Sequence, residues 1–335
     1  MQDEKEILRV IERHKAFWEM EEVKKPLMSL GRYNPLRRSG PLEEAVYITP
    51  NEIGAQRYVG DGPASAVSGD FMHGAGPPGF CWMEAIMGCR ILISVGSVWS
   101  EPFLNDWNDL EAIKPSQDNP WLAKLLEITR LLAEKAEGRY PITQPLFRGP
   151  IDMAAAVLGD ERTCFAVYDS PNEFRRLLEI CTDTFIEVAK ARLELSPLFY
   201  GGYLSGYSIW APGTVIRTQA DNSALLSPST YKEFLLPCDE QIFDSFDYPL
   251  IHLHSGCLHT VDVLLEAEKL RAIQVSLDYP AGLSAAESLP ILKKINERKP
   301  LILTGPVTES ELNQLLETLS PRGLCLMLSV RHEDD

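Results

Sequence analysis

Long apolar runs, paired cysteines, a leader-like start and an excess of positive charge are all missing from this sequence. Each absence removes a class of function. The apolar stretches, such as PLILTGPV, fall far short of the ~20 residues that a membrane-spanning helix needs. The opening MQDEKEILRVIERHKAFW is charged along its length and has no apolar core or small-residue cleavage site, so a secretory signal is not expected. The seven cysteines, at 81, 89, 164, 181, 238, 257 and 325, form no CxxC pair and are odd in number. Most lie in apolar surroundings, where reduced, buried thiols in a cytoplasmic protein are the expectation. Basic residues are outnumbered, 32 Lys and Arg against 48 Asp and Glu, for a net charge of −16. Such a surface repels phosphate backbones and anionic lipid, so neither nucleic acid nor membrane is an expected partner.

What is present is ordinary globular material: 335 residues, 45% hydrophobic and 24% charged. Residues 4–22 carry Ile7, Leu8, Ile11, Phe17 and Trp18 at helical spacing. Residues 23–80 are rich in Gly and Pro, yet hold Tyr33, Val46, Tyr47, Phe71 and Met72. That mixture reads as an ordered lid or entry segment. The chain is expected to form one structural domain, with an N-terminal helix and lid over 1–80 and the main α/β body over 81–335.

From residue 90 the pattern becomes regular. RILISVGSV reads as a short strand, PWLAKLLEITRLLAEKAEG as an amphipathic helix, and LSPSTYKEFLLPCDEQIFDSF as a helix opened by Ser227 and Pro228. The last third is clearest. LIHLHSG, AIQVSLD, LILTG and GLCLMLSV are short runs of aliphatic and β-branched residues separated by helical segments. Apolar strands alternating with amphipathic helices specify a parallel sheet covered on both faces. A closed barrel and an open doubly wound sheet both satisfy that pattern, and no GxGxxG follows a strand to favour the second.

Chemistry-bearing residues are then sought at the ends of strands. His252 and His254 flank Leu253, and a period of two puts both imidazoles on one face. At the C-terminal end of a barrel strand that face points into the mouth. Neutral imidazole suits Zn²⁺, with a third ligand expected from Cys257, Cys325, Asp278 or Asp221. Two hydrogen-bonded histidines lining a polar cavity without metal is the alternative. His14 and His332 are expected in solvent; His73 and His259 are left open. Asp278 ends a strand and suits an acid–base role or the orientation of a histidine. Asp221 and Asp152 are further catalytic candidates, although each also suits a helix N-terminus. For substrate binding, Arg148 and Arg32 offer bidentate contact with an anion. Tyr33 lies beside Arg32, while Tyr203, Tyr207 and Trp210 suit a flat apolar pocket or simple core packing.

Several blocks together resemble the uroporphyrinogen decarboxylase superfamily. They are the segments at 77–107 and 145–161, then ADN and LLSPSTYKEFLLP, LIHLHSG, AIQVSLD and KPLILTGPV. The resemblance implies a TIM (β/α)8-type barrel with an N-terminal helical and loop extension, whose pocket takes a tetrapyrrole, a corrinoid or a small methyl acceptor. The zinc-dependent methyltransferase branch carries a His-x-Cys pair on the strand matching LIHLHSG and a Cys after the last strand. His252 fits the first ligand, His254 stands in place of the Cys, and the final Cys has no counterpart beyond Cys325. The decarboxylase branch carries an arginine-rich segment, of which Pro26, Gly31, Arg32 and Tyr33 are kept and the first Arg is not. The chain runs only a short way past its last strand, so the eighth helix is expected to be absent or replaced by the N-terminal one.

The leading expectation is metal-assisted methyl transfer from a corrinoid carried on a partner protein to a small thiol or hydroxyl acceptor. Decarboxylation of a tetrapyrrole comes second, and a non-catalytic corrinoid or porphyrin binder third. A homodimer is a further expectation.

Overall fold

The computed structural model describes residues 4–33, 45–113 and 118–331, so His332 lies outside them. Helix α1 (Glu4–Trp18) leads into strand β1 (Leu27–Arg32), so the segment read as a lid supplies a strand to the central sheet. Its stretch from 34 to 44 lies outside the described residues. Helix α2 (Pro150–Leu158) and strand β2 (Val215–Gln219) precede the regular last third. There β3 (Tyr248–His254), β4 (Ala272–Ser276), α3 (Ala285–Arg298), β5 (Leu301–Thr308), α4 (Glu309–Thr318) and β6 (Leu324–Arg331) follow in turn. The strands pair in parallel in the order β1-β6-β5-β4-β3-β2. Helices α3 and α4 begin with capping boxes, Ser284 with Glu287 and Thr308 with Glu311. Each box satisfies two backbone donors that a helix start otherwise leaves open.

Side chains and short bridges close the wall between β2 and β1. On the free edge of β2, Gln144 Nε2 donates to Arg217 O and Gln144 Oε1 accepts from Arg217 N, both at 2.7 Å. An amide side chain thus meets β2 where a neighbouring strand's backbone otherwise does. On the free edge of β1, Asp70 Oδ2 accepts from Met28 N at 3.2 Å. The gap is spanned by parallel bridges between Ala75 and Ile142 and between Thr143 and Leu204. The chain folds as a TIM-type (β/α) barrel.

RILISVGSV does not enter that wall. Arg90–Ser94 and Ser97–Glu101 form an antiparallel hairpin, joined by Val46–Ile48 into a separate three-stranded sheet. The Gly96 turn returns the chain at once, which a parallel barrel strand does not allow.

The N-terminal end of the barrel is plugged by α1. Phe17 and Trp18 pack with Leu27, Val215, Leu250, Ala272, Ile302 and Cys325, which lie at or near the starts of the six strands. Trp18 Nε1 donates to Trp210 O at 2.9 Å. His14, expected in solvent, is wholly buried here: its Nδ1 accepts from Trp210 N at 2.9 Å, and its Nε2 lies 2.8 Å from Asp70 O. The first contact requires a bare Nδ1, which fixes the neutral tautomer with the proton on Nε2. Burial pushes its pKa down to about 4. Among the described residues no helix is long and apolar enough to cross a membrane.

Candidate metal centre

β3 ends at His254, and the pleat carries His252 and His254 to the same side, at the C-terminal end of the barrel. Their Nε2 atoms lie 3.3 Å apart. Asp221, in the turn after β2, brings one carboxylate oxygen to 3.9 Å from His252 Nε2 and the other to 3.7 Å from His254 Nε2. Among the described residues these three form the group whose ligand atoms converge as a metal requires. Asp221 Oδ1 is enclosed and, among the described residues, accepts no hydrogen bond. A buried carboxylate oxygen without a partner is costly, and something positive has to face it.

The surrounding bonds decide what the imidazoles present. His254 Nδ1 is 2.9 Å from Asp278 Oδ2. A carboxylate only accepts, so Nδ1 carries the proton and a neutral His254 turns a bare Nε2 to the site. Asp278 is itself fixed by Ser255 N at 3.1 Å and Ser276 Oγ at 2.8 Å. His252 Nδ1 is bonded to Gln274 Oε1. Tyr207 OH also donates to Gln274 Oε1, at 2.5 Å, having accepted from Arg217 Nε at 3.0 Å. Gln274 Nε2 in turn donates to Thr304 Oγ1 at 2.8 Å. In that chain of donors the one open role for His252 Nδ1 is again to donate, leaving its Nε2 bare. Two lone pairs and a carboxylate therefore converge.

Electrostatics treat the two imidazoles differently. Burial, with the nearby Arg217 charge, pushes His252 down to about 3, so it is neutral at ordinary pH. The hydrogen bond to Asp278, working against burial, raises His254. Burial and the charge of Asp152 lift Asp221 to about 6. Burial also pushes Asp278 up, but its bonds from His254 and Ser276 outweigh that and hold it below the usual carboxylate value.

Asp152 and α2 steady the third donor. A Cβ on Gly149 would fall 2.1 Å from Gln219 O, so only glycine lets the start of α2 close on β2. Asp152 then accepts from Asn222 N at 2.9 Å and from Gln219 Nε2 at 3.1 Å. The same Gln219 Nε2 donates to Asp221 Oδ2 at 2.8 Å. Asp152 is thus a buried anchor one bond removed from the donors.

The other expected site residues separate clearly. Tyr207 lies inside the barrel, where its hydroxyl holds Gln274 and sits 3.2 Å from His252 Nδ1. Arg148 is drawn onto buried Glu84, at 3.0 Å. Arg32 ends β1, exposed and without an ion pair among the described residues, and Tyr33 N extends the pairing to Val330 O at 2.9 Å. Trp210 is buried and Tyr203 partly so, both away from the donors: Trp210 Nε1 donates to Phe199 O, and Tyr203 packs against the α1 plug. Cys325 is excluded as a ligand, since it starts β6 at the far end of the barrel. Cys257 turns its Sγ toward Asp221 O, at 3.6 Å, rather than toward the imidazoles. Arg217, Gln219 and Gln274 were not anticipated. The signal was available, because each is a polar residue in a short barrel strand and shares a ladder row with, or lies two residues from, a partner of His252.

The donor spacing suits zinc. Two nitrogens on one tetrahedral ion with bonds of about 2.05 Å lie about 3.3 Å apart, as here, and the carboxylate needs to move in by about half an ångström. One histidine of the pair and its carboxylate partner make the arrangement common around bound zinc.

Residues 81–196, which include Asp152 and Arg148, match the family model described as uroporphyrinogen decarboxylase (URO-D). A curated uroporphyrinogen decarboxylase from Syntrophotalea carbinolica is 27% identical over 202 residues, covering 56% of this chain and 52% of that protein. Over that segment the chain is similar to the URO-D family. It spans about half the length of that curated relative. A solved methyltransferase from Methanosarcina mazei has the same fold, with a TM-score of 0.60 and 18% identity over 96% of this chain and 93% of that one. A metallated homocysteine methyltransferase from Escherichia coli, at 13% identity over 67% of this chain and 88% of that one, has a TM-score of 0.26, too low for a structural argument.

Proposed function

We propose that this chain is a metal-dependent methyltransferase, with a divalent cation, zinc by the donor set, held by Asp221, His252 and His254. The convergence of the Asp221 carboxylate, whose enclosed Oδ1 is unpartnered among the described residues, with the Nε2 atoms of His252 and His254 carries the reading. When bound there, the cation supplies Lewis acidity that lowers the pKa of a small thiol or hydroxyl acceptor and makes it nucleophilic near neutral pH. The chain's residues prepare that chemistry. Asp278 and Gln274 hold both imidazoles as neutral donors, and Gln219 with Asp152 fixes the carboxylate. His254 is half-exposed, so the donors open toward the mouth on its side.

For the methyl donor we propose a corrinoid on a partner protein, which follows the sequence resemblance to the methyltransferase branch and fits the shared fold of the M. mazei methyltransferase. The all-N/O ligand set departs from that branch's His-x-Cys pair, which turns attention to acceptors beyond the usual thiol. Seven free cysteines support a cytoplasmic setting.

Tetrapyrrole decarboxylation is the second reading, favoured by the name of the curated relative. It leaves the convergent donors without a task, and Arg148 is already spent on Glu84. The two readings separate in one assay. Zinc-loaded protein is expected to demethylate methylcobalamin in the presence of a thiol or alcohol and to lose this on His252→Ala, with no turnover of uroporphyrinogen. Metal-independent conversion of uroporphyrinogen would overturn the proposal, and ligand binding without turnover of either substrate would point to a carrier.

A further inference from the structure

The segments that close the barrel wall between β2 and β1 also frame a second groove. Tyr140 leads into the bridged residues Ile142 and Thr143, and the turn Phe199–Gly202 leads into Leu204. Ala66 O accepts from His73 N at 2.8 Å, two residues before the bridged Ala75. Between these three approaches and Ile7 of α1 runs a groove of about 470 Å³, the size of a small-molecule site. None of the residues lining it belongs to the donor group or to the side chains that hold that group.

The walls of this groove have one character. Tyr140, Phe199 and Tyr200 supply aromatic rings, with Pro63 and Ala64 opposite in sequence and equally apolar. Arg139 is the one charged residue among the described residues that line it, in a chain of net charge −16. The guanidinium is exposed, 5.6 Å from the Tyr140 ring centroid, and its Nη2 donates to Lys135 O at 2.7 Å. No carboxylate pairs with it among the described residues.

Tyr200 is the second, independent observation. Phe199 and Gly202 exchange backbone bonds of 2.9 and 3.2 Å, closing a tight turn. Both central residues are left-handed, Tyr200 with φ 49° and Gly201 with φ 79°. Asparagine, aspartate or glycine suits the first of these places, where a bulky side chain is strained. Here it holds a tyrosine whose exposed ring stands edge-on to Phe199 at 4.9 Å and lines the groove. Strain that leaves a large aromatic ring in water does little for folding, and such strain gathers at ligand clamps.

We propose that this groove is a second ligand site, for a flat aromatic carboxylate. The ring packs on Tyr140, Phe199 and Tyr200, where aromatic faces and edges pair favourably, and the anion meets Arg139. The walls run directly into the bridged segments, so an occupied groove steadies the part of the barrel with least backbone pairing.

The test titrates the full, zinc-free chain with 2-naphthoate and with its neutral counterpart 2-naphthamide, following ligand fluorescence and the melting temperature. Wild type is expected to bind the carboxylate about fivefold more tightly than the amide, the worth of one exposed guanidinium contact, and to melt higher with it. Arg139→Gln is expected to erase that preference. Ala64→Trp, at an exposed position, fills the groove, and Tyr200→Asn removes one wall while suiting the left-handed backbone. Each is expected to weaken 2-naphthoate binding about tenfold, with the ligand-free melting temperature of Tyr200→Asn kept. No binding by wild type, equal affinities for acid and amide, or undiminished binding in Ala64→Trp or Tyr200→Asn overturns the proposal. Binding that survives Ala64→Trp but is lost in His252→Ala would put the ligand at the mouth instead and overturn it equally.

Discussion

At the scale of single residues, the mouth of the barrel is governed by where protons are barred from sitting. His254 Nδ1 donates to Asp278 and His252 Nδ1 to Gln274, so His252 turns a bare Nε2 toward Asp221, and His254 does so once it is neutral. Asp278→Asn removes the anion that fixes His254, and Tyr207→Phe removes a hydroxyl that holds Gln274 in register. Each is expected to weaken zinc affinity by about 10- to 100-fold, measured by chelator competition, while leaving the fold intact. Unchanged affinity in both variants would show that the network serves packing alone. The two imidazoles were legible in the sequence, because a period of two inside an apolar strand leaves little choice. Asp221 was only one of four ligand candidates, since its placement depends on Gln219 beside it being held by Asp152, which is far away in sequence. His14 was misread for a similar reason. Its helix looks amphipathic by itself, and only the return of the chain at Trp210 buries the imidazole.

At the scale of elements, α1 is a plug rather than an appendage. Phe17 and Trp18 cover the starts of the strands, and Trp18 ties down Trp210 O. Trp18→Ala is expected to destabilise the protein by about 3–5 kcal/mol in denaturant unfolding, as removal of a large core aromatic does. A loss below about 1 kcal/mol would mean that α1 merely rests on the barrel. Strands β3 to β6 could be read directly, being apolar runs between capped helices. β1 could not, since it sits in Gly- and Pro-rich sequence. The segment around Ile142 reads as strand-like, yet it joins the wall through single bridges and the Gln144 side chain instead of a ladder. Periodicity records repeated pairing, and these parts of the barrel have little.

At the scale of the whole molecule, buried neutral histidines link stability to pH. His14, with a pKa of about 4, and His252, at about 3, both lie below the ~6.5 of an unfolded histidine. The unfolded chain therefore binds more protons, and their contribution is full above about pH 6.5 and shrinks as pH falls toward 4. For His14 alone the loss by pH 5 is of order 2 kcal/mol. Asp221 and Asp239 work the other way: burial raises them to about 6 and about 7, so in metal-free protein they strain the fold most above those values. His14→Gln is expected to lose less stability than wild type between pH 7 and pH 5, read from paired melting curves. Parallel losses in the two proteins would remove His14 from the acid response. Zinc should reverse the local sign at the mouth, since binding displaces protons from His254 and Asp221 and so weakens on acidification.

The most direct measurement is the metal content and X-ray absorption of protein purified without chelator and supplied with zinc, beside Asp221→Ala and His254→Ala. One zinc per chain, with two nitrogens and a carboxylate oxygen at about 2.0–2.2 Å, is the predicted result, lost or much weakened in both variants. A chain that takes up no zinc, or whose zinc stays bound with the same spectrum after either substitution, would contradict it.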